Sequence, residues 1–227
     1  MFKLKYFHFL LLLSLFLVVA CEKMDDTYRH FVVPDGLTYV GKADPVFLNP
    51  GRKRIKLSWL RGTDQKTTMA RIYWNSKTDS VDVPVTKGNP KDTVSVIIGN
   101  LEEGSYVFQI YTFDNNHNSS IRVDALGASY GSLYEGSLVN RIITGIKKGG
   151  DTAIVTMLSV DTTAMVTRFR YSDQSGAIVD TLVDSETLTV RLPNMNKDTL
   201  FDYITLYKPI STCLDTFYSP LRNYPAR

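Results

Sequence analysis

Between Arg54 and Trp59 the chain alternates without interruption. Ile55, Leu57 and Trp59 are apolar; Arg54, Lys56 and Ser58 are polar. Only a pleated strand sends successive side chains to opposite faces, so a period of two commits this segment to a half-buried β-strand with Ile55, Leu57 and Trp59 inward. Met69–Trp74 repeats the pattern, with Ala70, Ile72 and Trp74 inward and Arg71 and Tyr73 outward. Thr93–Ile98 forms a further strand, and after Gly104 the residues Tyr106, Phe108 and Ile110 define another inner face. Such runs, separated by Gly, Asn, Asp and Pro turns and lacking a sustained 3.6-residue period, predict an all-β sandwich. A composition of 44% hydrophobic and 22% charged residues is ordinary for a globular protein, so disorder is not the default.

The first twenty residues obey a different logic. Lys3 and Lys5 precede an apolar run from Phe9 to Val19 that only Ser14 interrupts. That run is too short to span a bilayer and has the length of a signal-peptide core. It ends in Val18-Val19-Ala20-Cys21, which resembles the lipobox of bacterial lipoproteins: an aliphatic residue, a small residue, then the cysteine that receives the diacylglycerol. The resemblance implies cleavage before Cys21, acylation of Cys21 and anchorage to a lipid bilayer. Next come Glu22, Lys23, Met24, Asp25 and Asp26; Lys23, Asp25 and Asp26 resemble the surface-export tag of Bacteroidota lipoproteins. An outer-membrane protein facing the cell exterior is the expectation. The 26 Lys and Arg fall to 24 once Lys3 and Lys5 leave with the leader, against 23 Asp and Glu. A near-neutral chain with no concentrated basic face gives no ground for a nucleic-acid partner.

The order of landmarks after residue 33 resembles the fibronectin type III fold: a strand ending in Trp59, a strand with Tyr73-Trp74, a Leu101-x-x-Gly104-x-Tyr106 corner, the polar turn Asp114–Asn118, and a last strand beginning at Ser120–Val123. Tyr106 at that corner can bury its ring while its hydroxyl bonds nearby backbone. The corner is one residue tighter than the usual fibronectin spacing, so other immunoglobulin-like topologies stay open. The second half repeats the plan. Ala153–Leu158 matches the Trp59 strand, Arg168–Tyr171 echoes Arg71–Trp74, Thr187–Val190 echoes Thr93–Val96, and Leu192 echoes Leu101. Related modules with different loops give such a slowly drifting offset. The expected organisation is a leader over 1–20, an acidic tether over 21–32, a first sandwich over 33–127, a linker over 128–136 and a second sandwich over 137–227.

A lipobox, an acidic tether and two such modules joined by SYGSLYEGSLVNR are similar to a Bacteroidota lipoprotein family of unknown function. Members of that family often continue into a C-terminal discoidin-like sandwich suited to carbohydrate, and this sequence stops at Arg227 without one. The resemblance implies no catalytic residues.

Searching the residues for chemistry gives little. The histidines that follow the leader are His30 and His117, far apart in sequence, which leaves a metal site or a Ser-His-Asp triad little to draw on. There is no G-x-S-x-G, no H-E-x-x-H and no P-loop. Asp25-Asp26 and Glu102-Glu103 are sequence neighbours, and neighbours on a strand point apart. Asp114-Asn115-Asn116 lacks the spacing of a calcium loop and reads as a turn. Cys213 has no partner if Cys21 is acylated, and in its strand-like setting it is expected to be a small buried hydrophobe. No catalytic residue, metal or cofactor is expected.

One constellation remains. If Met69–Trp74 and Tyr106–Phe113 are neighbouring strands, then Arg71, Tyr73, Gln109, Tyr111 and Phe113 share an outer face, and Arg122 on the last strand joins them. Aromatic rings beside hydrogen-bonding groups suit either sugar stacking or a protein contact, the latter with the second module or another chain. The expected function is therefore a non-catalytic surface lipoprotein that binds a glycan or a partner protein of a polysaccharide-uptake system. The alternative is a structural or adhesive spacer of the cell envelope.

Overall fold

The computed structural model describes residues 31, 36, 38–195 and 201–224. The leader, Cys21, Lys23, Asp25, Asp26 and His30 lie outside the described residues. The chain divides into two compact units, residues 1–39 and 40–227, and both sandwiches belong to the second.

The first sandwich packs two antiparallel sheets. One contains β1 (Val46–Gly51), β2 (Arg54–Leu60) and β5 (Thr93–Gly99) in the order β1-β2-β5. The other contains β3 (Met69–Trp74), β4 (Asp79–Pro84), β6 (Gly104–Phe113) and β7 (Val123–Ser129) in the order β4-β3-β6-β7. The alternation in β2, β3 and β6 fills the space between them. Ile55, Leu57, Ala70, Ile72, Phe108 and Ile110 have no exposed surface, and Trp59 retains 2%. Ser58 departs from the expected solvent face, being buried where Phe47 of β1 pairs with it. The two sheets come close together at β7. A β-carbon on Gly127 would lie 2.7 Å from Leu48 Cδ2, so a side chain there would force the Leu48 methyl aside.

The second sandwich repeats the arrangement. β8 (Ile143–Gly149), β9 (Thr152–Met157) and β12 (Thr189–Leu192) form one sheet in the order β12-β9-β8. β10 (Ala164–Ser172), β11 (Ile178–Asp184) and β13 (Phe201–Tyr207) form the other, in the order β11-β10-β13. Its last strand is split into β14 (Phe217–Tyr218) and β15 (Arg222–Tyr224), both paired with β13. Val155, Phe169, Tyr171, Leu192 and Phe201 form its own core.

In both sandwiches the fourth strand pairs with the third. The immunoglobulin constant arrangement instead places its fourth strand in the opposite sheet. This pairing resolves the topology left open above as fibronectin type III-like. The corner works as expected: Tyr106 packs against the core and its hydroxyl donates to Glu102 O at 2.9 Å.

Residues 128–136, the expected linker, carry the end of β7 and most of a short helix. Ser129 ends β7, and Ser132–Ser137 forms a short helix, α1. The Gly131 cap offers no side-chain acceptor, and Glu103 from the β5–β6 corner takes that role. Its carboxylate accepts from Leu133 N at 2.7 Å and Tyr134 N at 2.6 Å, two amides a first helical turn leaves unpaired.

Candidate functional site

The β3–β6 register sets Arg71 opposite Tyr111, Tyr73 opposite Gln109, and Met69 opposite Phe113. Five of the six candidate face residues, Arg71, Tyr73, Gln109, Tyr111 and Phe113, therefore share the outer side of one sheet. None belongs to the core of the first sandwich. The rings of Tyr73 and Tyr111 meet edge to face at 6.0 Å, and both are half-buried. The sixth residue, Arg122, departs from the expectation because β7 begins only at Val123. It precedes the strand and joins the face through an ion pair with Asp124 at 3.0 Å, next to Gln109. Arg71 is clamped from the other side by Asp82 of β4 with bonds of 2.5 and 2.6 Å, and this pair holds the Asp82 carboxyl below its usual range.

A further residue completes the face. The β3–β4 hairpin turns through a 3-10 turn, Asn75–Lys77, whose three residues have φ of 48°, 56° and 68°. The turn returns Lys77 over the tyrosines, its Nζ 5.6 Å from the Tyr73 centroid and 5.3 Å from that of Tyr111. Asn75 Nδ2 donating to Asp79 at 2.7 Å and Thr78 Oγ1 donating to Asn75 O at 2.7 Å tie the turn down.

The contacts between the sandwiches lie elsewhere, around the β1–β2 turn. Arg54 donates to both Asp215 oxygens, through Nε at 3.1 Å and an Nη at 2.5 Å, and Arg52 N donates to Asp215 Oδ2 at 2.7 Å. Arg52 also forks onto Glu135 of α1 at 2.5 and 2.8 Å and lies 4.7 Å over the Phe217 ring. Leu214 N donates to Pro50 O at 2.7 Å, and Asn49 Nδ2 to Thr212 O at 3.1 Å. Beneath these, Tyr130, Tyr134 and Phe217 form an aromatic trio beside Cys213 and Tyr207. A β-carbon on Gly51 would meet Asp215 Oδ2 at 2.6 Å, so glycine is what admits the carboxylate. The arginines hold the Asp215 and Glu135 carboxyls below their usual ranges.

The remaining chemical candidates are occupied internally. Asp114 accepts from Asn116 N, Asn118 N and Asn118 Nδ2 at 2.8–2.9 Å, which closes its turn. Cys213 is buried, and burial pushes its thiol up, away from nucleophilic use. Among the described residues no three His, Cys, Asp or Glu side chains gather as a metal site. An open depression of about 430 Å³ in the second sandwich is lined by Ile142, Ile143, Tyr203, Arg222 and Tyr224, among others. The polar groups at its floor are engaged: Arg141 donates to the carbonyls of Leu158, Asp184 and Ser185, and Asn140 Oδ1 accepts from Thr205 and Ser219.

A family described as a domain of unknown function matches residues 21–217, most of the chain. The chain belongs to the DUF4998 family. No curated protein matches this DUF4998 chain. Among solved structures, it is similar to the FN1–FN3 domains of chicken CNTN1, with a TM-score of 0.45 and 12% identity. That match covers 83% of this chain and 65% of the other, less than two thirds of its length. It is also similar to a two-domain fibronectin type III segment of chicken tenascin, with a TM-score of 0.32 and 15% identity over 81% of this chain and 97% of that one. Among the described residues no helix is long and apolar enough to cross a membrane.

Lys77 and the residues gripping the β1–β2 turn are absent from the sequence-level face. The Asn75-Ser76 pair signals a turn, but not that the turn is left-handed and folds back over the sheet.

Proposed function

We propose that this DUF4998 protein is a non-catalytic envelope lipoprotein, held by acylated Cys21 on the outer membrane and facing the exterior. In this reading its two sandwiches are a stiff spacer that carries an adhesive face. The observation that carries the spacer is the grip of Asp215 and Glu135 on the β1–β2 turn, since two sandwiches joined only by a flexible strand would need neither carboxylate. The lipobox supports the anchor, and the family match begins at residue 21, the cysteine that the lipobox marks. Tyr73 and Tyr111, standing outside the core, support the binding of a glycan or of a partner protein of a polysaccharide-uptake system.

Two measurements test this. Metabolic labelling with a clickable fatty acid should mark the wild type and not Cys21→Ser; label retained in the variant rejects the anchor. Spin labels on the exposed positions Lys87 and Glu186, in a full-length Cys21→Ser background, should give one narrow distance distribution. A broad distribution rejects the stiff spacer.

A further inference from the structure

We infer that the outer face of the first sandwich takes an acidic saccharide, with the carboxylate against Lys77 and the sugar ring against Tyr73 and Tyr111. The inference rests on the reading of this face as adhesive and names its ligand class.

The charge pattern is the first argument. Among the described residues of the face, Arg71 is matched by Asp82 and Arg122 by Asp124, while Lys77 has no carboxylate partner. Its ammonium rests instead beside the two tyrosine rings. A ligand bearing a carboxylate gains from the same cation.

The backbone is the second. Asn75, Ser76 and Lys77 are three consecutive non-glycine residues in left-handed conformation, a region L-residues avoid because Cβ crowds the following carbonyl. A hairpin turn could be closed without that strain by glycine. What this turn achieves is the placement of Lys77 over the tyrosines, and strain of this kind concentrates where a group is being positioned.

The third is an unmatched acceptor. Gln109 Oε1, opposite Tyr73 on the same face, is covered and has no hydrogen-bond partner. A ring rotation that admits a ligand would uncover it, and an O–H donor would satisfy it. The face therefore asks for an anion, hydroxyl donors and a ring that stacks on an aromatic, which together describe a uronic acid.

The test runs the full-length Cys21→Ser protein through native gels containing polygalacturonate, its fully methyl-esterified form, or poly-L-glutamate. Polygalacturonate alone should retard it. Lys77→Gln should weaken that retardation about tenfold, the scale of one charge-assisted contact, and Lys77→Arg should keep it. Tyr73→Ala should abolish it with the melting temperature close to that of the parent. Equal retardation by the esterified polymer, unaffected by Lys77→Gln, would overturn the acid requirement while leaving the face adhesive. Equal retardation by polyglutamate would overturn the sugar, and no retardation by polygalacturonate would overturn the assignment outright. The spin-label distances report on the spacer independently of all three.

Discussion

Asp215→Ala removes three hydrogen bonds at once: two from the Arg54 guanidinium and one from Arg52 N. A hydrogen bond to a charged group contributes about 1.5–3 kcal/mol when shielded. This site is not fully shielded, for the Arg54 side chain is 43% exposed and that of Asp215 22%. Solvent screening brings the expected loss down to about 1–2 kcal/mol for the whole site. For a folded unit of this size that lowers the melting temperature by roughly 2–8 °C. A double-mutant cycle with Arg54→Ala isolates the pair and should return a coupling of about 1 kcal/mol. The carboxylates at this turn also set a pH dependence. Both Asp215 and Glu135 have folded pKa values below their unfolded ones, so their contribution is complete above the unfolded values, near 4. It is lost as pH falls through the folded values. Melting followed from pH 7 to pH 3 should therefore show the wild type approaching Asp215→Ala at the acid end. A coupling indistinguishable from zero, with wild type and variant separated equally at both ends of the range, would refute the view that these carboxylates hold the sandwiches together.

Other outcomes follow from the packing and from the N-terminal residues. Trp59→Ala should cost about 3–5 kcal/mol, the penalty for deleting a buried large aromatic, and hydrogen exchange should show β10 and β13 still protected because Phe169 and Phe201 pack in a separate core. Exchange accelerating equally in both sandwiches would contradict separate cores. Cys213 should resist a thiol reagent in native buffer and react once denaturant is added; prompt native labelling would place it at the surface. Replacing Lys23, Asp25 and Asp26 by Ala should preserve fatty-acid labelling yet protect the protein from external protease on intact cells, and continued digestion would remove these residues from any role in export.

Much of the fold was legible because period-two alternation is a local signal. The inner faces of β2, β3 and β6 could be read from Ile55, Ile72, Phe108 and their neighbours, and the phase that puts Tyr73 outward followed from Ile72 and Trp74 being inward. The corner at Tyr106 was legible for the same reason, since Leu101, Gly104 and Tyr106 lie within one short stretch. What escaped depends on partners distant in sequence. Gly, Ser and Tyr between 128 and 136 read as a linker, and they fold because Glu103 supplies the acceptor that Gly131 lacks. Ser58 is buried between its cross-strand partners Phe47 and Ser95. Lys77 reaches the tyrosines only because three residues adopt a conformation that their identities do not announce. Arg122 sits one residue outside the strand to which alternation assigned it.

The grip on the β1–β2 turn has a mechanical consequence. One covalent crossing between two bodies transmits a pull but leaves them free to swivel. Here Asp215 and Glu135 take hold of Arg54 and Arg52 at the β1–β2 turn, well removed in sequence from that crossing, so the connection has more than one point of purchase. On the spacer reading, torque applied to the second sandwich passes to the first and fixes the azimuth at which the Tyr73–Tyr111 pair looks outward.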